Sequence, residues 1–192
     1  MTMDDIPADC FIPAEQCPAL SSSFTVEGIT GLLDRKSTPA ATAKAPAISY
    51  GAAKEGVKYC MIMTDPDAPS REKPLFRNFC HWVQADCLGS PSEILAYVGP
   101  GPPCNSGLHR YVFCLYEQPS EADLDLLAKT LEGRGGSKPH DAAIAAGLGP
   151  LVAIEFYYAE WDESVDALHE AISFLPPPEY RSPAQKAKHG DA

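Results

Sequence analysis

The sequence predicts a mainly β fold: an antiparallel β-sandwich-like core with a few peripheral helices. Three observations predict it. Strand-like runs fill the middle of the chain and helical patterns gather late, which favours an antiparallel assembly over a doubly wound α/β sheet. Proline (19) and glycine (14) make up about one residue in six of the 192, which argues for long irregular stretches and against an all-helical bundle. Hydrophobic residues at 45% and charged residues at 21% are a globular balance, and a chain of this length folds without disulfide or metal staples.

The elements follow in order. Residues 1–24 contain Pro, Ser and Cys with no clear period, and 25–47 are rich in Thr, Ala and Lys. Both read as irregular, with room for one short strand. Another short strand covers 47–50. The run 57–64 is almost continuously apolar, as in a strand buried on both faces. Residues 78–86 alternate, while 109–117 (HRYVFCLYE) and 151–159 (LVAIEFYYA) are rich in aromatic and β-branched residues. Leu124, Leu127, Ala128 and Leu131 form one apolar helical stripe, with Ser120 as N-cap and Gly133 as the stop. Val165, Leu168, His169 and Ile172 repeat that spacing behind Asp162, and an Ala-rich helix covers 139–146. We expect one domain over 1–175, with 1–40 largely irregular, and a disordered, Pro-rich then polar tail over 176–192.

The charge, 15 − 26 = −11, argues against nucleic-acid binding and against broad adsorption to anionic membranes. No 18-residue apolar run spans a membrane, and the start, MTMDDIPADC, lacks the apolar core of a secretory signal. Seven cysteines, an odd number with no CxxC pair, exclude a zinc ribbon and suit a reducing compartment. The expected location is cytoplasmic.

Three constellations carry chemistry. Asp65-Pro66-Asp67-Ala68-Pro69 follows the buried strand; two prolines stiffen the turn, and the two carboxylates either accept backbone N–H groups there or face a ligand. His81, in Asn78-Phe79-Cys80-His81-Trp82-Val83, shares a period-2 face with Phe79 and Val83, where histidine is more often a packed core group than a ligand. The Gly/Pro loop 99–103 allows close backbone approach, and in Gly107-Leu108-His109-Arg110-Tyr111 the residues His109 and Tyr111 share one face. Arg110 points to the other, where an ion pair with a loop carboxylate is its simplest role. Together these place one pocket at a sheet end.

Thr64–Arg71 (TDPDAPSR), His81 in its strand, and the GPP and GLHRY blocks over 101–111 resemble the phosphatidylethanolamine-binding protein family, which takes in a Raf kinase inhibitor, flowering-time regulators and a carboxypeptidase Y inhibitor. The resemblance runs from about residue 47 to 172 and includes Ala159-Glu160-Trp161. It implies a β-sandwich-like core and a small pocket for a phosphoryl or acetate anion. By position, that pocket is lined by Asp65, Asp67, Ala68, Pro69, Phe76, Phe79, His81, Gly101, Pro103, His109 and Tyr111. His169 stands where the family often has a tyrosine over the pocket, as a gate candidate. Two departures bear on ligand preference: the family's WHHF is Phe79-Cys80-His81-Trp82 here, and its GTG is Asn105-Ser106-Gly107.

The function this implies is a non-enzymatic binding protein for phosphorylated head groups or phospholipid that modulates a kinase or a protease. A serine carboxypeptidase or other protease inhibitor acting through surface segments is the alternative. An enzyme is the third reading, disfavoured because no G-x-S-x-G, HExxH or P-loop occurs. No cofactor, no metal and no catalytic residue is expected.

Overall fold

The computed structural model describes residues 24–26 and 35–190. Among these residues seven strands form two antiparallel sheets: β1 (Phe24–Val26) with β2 (Ile48–Tyr50), and a five-stranded sheet. The larger sheet has the order β5-β4-β3-β6-β7, from β3 (Lys58–Asp65), β4 (Phe79–Ala85), β5 (Ser92–Leu95), β6 (His109–Gln118) and β7 (Leu151–Ala159). Helices α1 (Leu124–Leu131), α2 (Pro139–Ala145), α3 (Ser164–Ala171) and α4 (Pro183–His189) lie at its periphery. This is the mainly β, antiparallel architecture that the sequence predicts.

Strand periodicity explains the layers. On β3, Cys60 and Ile62 face the side covered by Leu127, Leu131, Ala142 and Ala143 of α1 and α2. Tyr59, Met61 and Met63 face the other side, against Val26, Ile48 and Tyr50 of the smaller sheet. β6 and β7 alternate in the same way, Val112 and Cys114 against Tyr111 and Phe113, and Ile154 and Phe156 against Ala153 and Tyr157. A strand covered on both faces must be apolar at nearly every position, which is why 57–64 reads as it does. Burying each large side chain contributes about 1.5–3 kcal/mol.

Strand β5 escaped the sequence reading. It is a four-residue edge strand, Ser-Glu-Ile-Leu, half exposed and carrying little apolar signal. The helix starts differ by small amounts. Asp123, not Ser120, caps α1, its Oδ1 accepting the Leu126 amide at 2.9 Å. The N-cap of α3 is Glu163, not Asp162, which sits one residue earlier and accepts the Ser164 N–H at 2.9 Å.

The tail is a correction. Where disorder was expected over 176–192, residues Pro178–Tyr180 form a 3₁₀ turn and Pro183–His189 form α4. Ser182 and Gln185 make a capping box, Pro183 opens the helix, and Gly190 closes it in the left-handed region at φ 74°. Ser182 Oγ also donates to Asp166 on α3, and the Tyr180 hydroxyl meets Ser70 Oγ at 2.9 Å. The segment therefore docks on the body of the protein.

Candidate functional site

Antiparallel register gathers the site. Asp65 ends β3 opposite Phe79, which begins β4, and the start of β6 lies on the other flank of β3. Three motif segments thus share one sheet end. A bulge then aims His81: partners on β3 step from Trp82 at Met63 to Cys80 at Thr64, leaving His81 as the extra residue. It packs against Phe79 (ring centroids 4.9 Å) and Tyr111 (5.2 Å). Phe79 shares its side as the period predicts, but Val83 belongs to the opposite core, because the bulge breaks the alternation between them.

A cavity of about 510 Å³ opens here. Asp65, Ala68, Pro69, Phe76, Phe79, His81, Gly101, Pro103, His109 and His169 all line it. Asp67 and Tyr111 do not, for different reasons.

The two carboxylates divide. Asp65 Oδ1 accepts the Asp67 amide at 2.7 Å, and its Oδ2 accepts from His109 Nδ1 at 2.7 Å. Asp67 turns away: its Oδ2 accepts from Arg110 N at 2.9 Å and from Arg110 Nε at 2.7 Å, and its Oδ1 pairs with Arg110 Nη2. Burial pushes the Asp67 carboxyl up, but the Arg110 guanidinium outweighs it and holds the group below the usual carboxylate range. Asp67 and Arg110 are therefore an internal ion pair.

The three histidines have distinct states. His81 Nδ1–H donates to Val98 O at 2.8 Å, which leaves Nε2 bare and without a protein partner among the described residues. Burial lowers the His81 pKa, with nearby Asp65 opposing, so the ring is neutral at pH 7. His109 has both nitrogens engaged, Nδ1 by Asp65 and Nε2 by Ser106 Oγ at 2.9 Å. His169 Nε2 donates to Gly101 O at 2.9 Å, and Gln185 Nε2 donates to His169 Nδ1 at 3.2 Å. His169 is 2% exposed, and burial lowers its pKa. The gate candidate is thus a neutral, fully bonded wall of the pocket.

Gly101 packs closely at this wall: a Cβ there would stand 3.2 Å from Leu168 Cδ2 and 3.4 Å from His169 Nε2, so the α3 side chains would have to give by a few tenths of an ångström. Tyr111 packs behind the imidazoles of His81 and His109 and is fully buried. Burial holds its pKa well above the ordinary value, so the phenol keeps its proton. Its hydroxyl is close to the Gly101 amide but makes no hydrogen bond of acceptable geometry.

Sequence reasoning missed the far rim. Val98, Gly99, Leu168, Ile172 and Phe174 add apolar wall, and Glu132–Gly135 closes one side. Arg134 braces it, donating from Nη1 to Cys80 O (3.0 Å) and His81 O (3.2 Å) and from Nη2 to Ala96 O (2.8 Å). Glycines around one arginine in Glu132-Gly133-Arg134-Gly135-Gly136 were the available signal. Among the described residues no cluster of His, Cys, Asp and Glu could hold a metal ion, and no helix is long and apolar enough to cross a membrane.

Comparison with known proteins agrees with this geometry. The chain is similar to carboxypeptidase Y inhibitor, solved in complex with its cognate proteinase, at 26% identity over 67% of this chain and 76% of that one, with a TM-score of 0.56. It shares its fold with a phosphatidylethanolamine-binding protein from Plasmodium vivax (19% identity, 83% and 96% covered, TM-score 0.63). The same holds for one from Plasmodium falciparum (22%, 82% and 93%, TM-score 0.62). The sequence model of the family described as phosphatidylethanolamine-binding protein matches residues 19–149. On that match, and with the pocket built from the expected motifs, this chain belongs to the phosphatidylethanolamine-binding protein family.

Proposed function

We propose that the chain is a binding protein that does not transform its ligand: its pocket takes a small phosphorylated anion of the phosphoethanolamine type, and occupancy modulates a kinase or protease partner. One observation carries this reading. His81, in the cavity wall, has its Nε2 without a protein partner among the described residues, and directly behind its ring the buried Tyr111 hydroxyl keeps its proton and finds no acceptor. Buried polar groups are rarely left unpaired, and a ligand oxygen is the acceptor such a donor fits. His81 adds a second donor once protonated.

The surroundings support an anion. Asp67, which would otherwise repel it, is neutralised by Arg110, and both Asp65 oxygens are engaged by His109 Nδ1 and the Asp67 amide. The apolar rim of Phe76, Ile172 and Phe174 suits the carbon chain of the ligand. Isothermal titration with O-phosphorylethanolamine tests this. Tyr111→Phe should weaken binding about 10- to 100-fold, the worth of a hydrogen bond to a charged group. Unchanged affinity in Tyr111→Phe would remove the proposal. Vesicles with and without phosphatidylethanolamine then separate a lipid from a free head group.

The likeness to carboxypeptidase Y inhibitor favours a protease as the partner. Inhibition of a serine carboxypeptidase that is lost on deleting residues 1–24 and kept in Tyr111→Phe would place that activity outside the pocket.

A further inference from the structure

We propose that Ser106 is an activated serine, able to accept an acyl or phosphonyl group from an activated ester or fluoride. Ser106 sits between two left-handed residues, Asn105 (φ 61°) and Gly107 (φ 78°). The sharp turn at each side directs its hydroxyl onto His109, three residues on. Ser106 Oγ lies 2.9 Å from His109 Nε2, and His109 Nδ1 lies 2.7 Å from Asp65 Oδ2. Nucleophile, base and orienting carboxylate thus stand in bonded sequence, the arrangement that activates serine on many unrelated folds.

The surroundings suit this chemistry. Asp65 is buried and its second oxygen is held by the Asp67 amide, so it cannot swing away. That carboxylate fixes the proton of His109 on Nδ1 and presents Nε2 to the serine. Ser106 is only half buried, so a reagent can reach it. The amide of Gly107, the residue after the serine, makes no backbone hydrogen bond among the described residues, and the space beside Gly107 is open. It is the donor for a developing oxyanion.

Ser106 Oγ also donates to Pro103 O at 2.6 Å. The hydroxyl has one proton and two acceptors. Rotation about Cβ–Oγ moves that proton from Pro103 O, where the serine rests, to His109 Nε2, where it can be withdrawn. With an aryl ester, Oγ attacks the carbonyl carbon, the Oγ–H proton passes to Nε2, and the carbon–aryloxide bond breaks. The phenol leaves with that proton and Ser106 holds the acyl group. With a fluorophosphonate, the Oγ–P bond forms, P–F breaks, and hydrogen fluoride leaves.

Ser106 lies outside the cavity lining, so this inference goes beyond the anion pocket, and its failure leaves that reading standing. The test is to incubate the full chain with a fluorophosphonate probe and map the adduct by intact mass and peptide sequencing. The result expected is one adduct, on Ser106, absent in Ser106→Ala and formed at least 100-fold more slowly in His109→Gln. No adduct on the wild-type chain, an adduct only at other residues, or equal labelling of folded His109→Gln would overturn it. The wild-type map needs no variant, so a misfolded His109→Gln leaves the test decisive.

Discussion

Two carboxylates two residues apart do different work because different bases meet them. Asp65 faces an imidazole on β6 and the cavity; Asp67 faces the guanidinium of the next residue along β6 and the interior. Asp67→Asn should cost about 3–5 kcal/mol, the range for breaking a buried ion pair, and leave the anion affinity of the folded protein within about 2-fold. Chemical denaturation and ligand titration of the same variant check both halves. Tyr111→Phe should do the reverse, weakening the anion while leaving the melting temperature unchanged or raised, since it removes an unpaired buried hydroxyl. At this scale the sequence named side chains most of which the structure gathers around one cavity. It could not divide Asp65 from Asp67, nor His81 from His109, because hydrogen-bond partners come from other strands. The strand period placed His81 and Val83 on one face, and a single-residue bulge separated them.

Among the elements, α4 has the least obvious role. Gln185 completes the capping box through its carbonyl oxygen and donates from its amide nitrogen to His169 Nδ1. His169 in turn holds Gly101 at the pocket wall. One glutamine thus links the last helix to the site. Gln185→Ala should cost about 1–2 kcal/mol in stability. It should also speed amide hydrogen exchange both in 183–189 and at the 99–103 loop. Faster exchange in the helix alone would show that the link to the pocket carries no coupling. The strands were legible because each has a core on one or both faces, and the two stripes of α1 and α3 were legible for the same reason. Strand β5 and helix α4 were not. The first is a short edge with few apolar residues, and the second is held by a capping box, Pro183 and polar contacts rather than by an apolar stripe. The Ser182-x-x-Gln185 box was in the sequence, but the surrounding composition outweighed it.

Across the whole molecule, titration joins stability to binding. Burial lowers the pKa of His81, His140 and His169 from the ordinary 6.5, so below that pH the unfolded chain binds more protons than the folded one. Stability should hold above about pH 6.5 and fall as the pH drops below it. The lowered pKa of Asp67 adds a further loss in stronger acid, as its carboxylate is protonated. A melting temperature that rises between pH 7.5 and 5.5 would contradict this. Anion binding runs the other way, because a bound anion favours the protonated ring of His81, so affinity should rise as the pH falls. The family match over 19–149 covers the three motif segments that meet at the sheet-end pocket. The most direct measurement is the ¹⁵N imidazole spectrum of His81 during titration with O-phosphorylethanolamine at about pH 6. The account predicts that Nε2 passes from the bare to the protonated form as the ligand saturates, with a weaker response in Tyr111→Phe. A His81 ring that stays unchanged at saturation, or no binding at millimolar ligand, would contradict it.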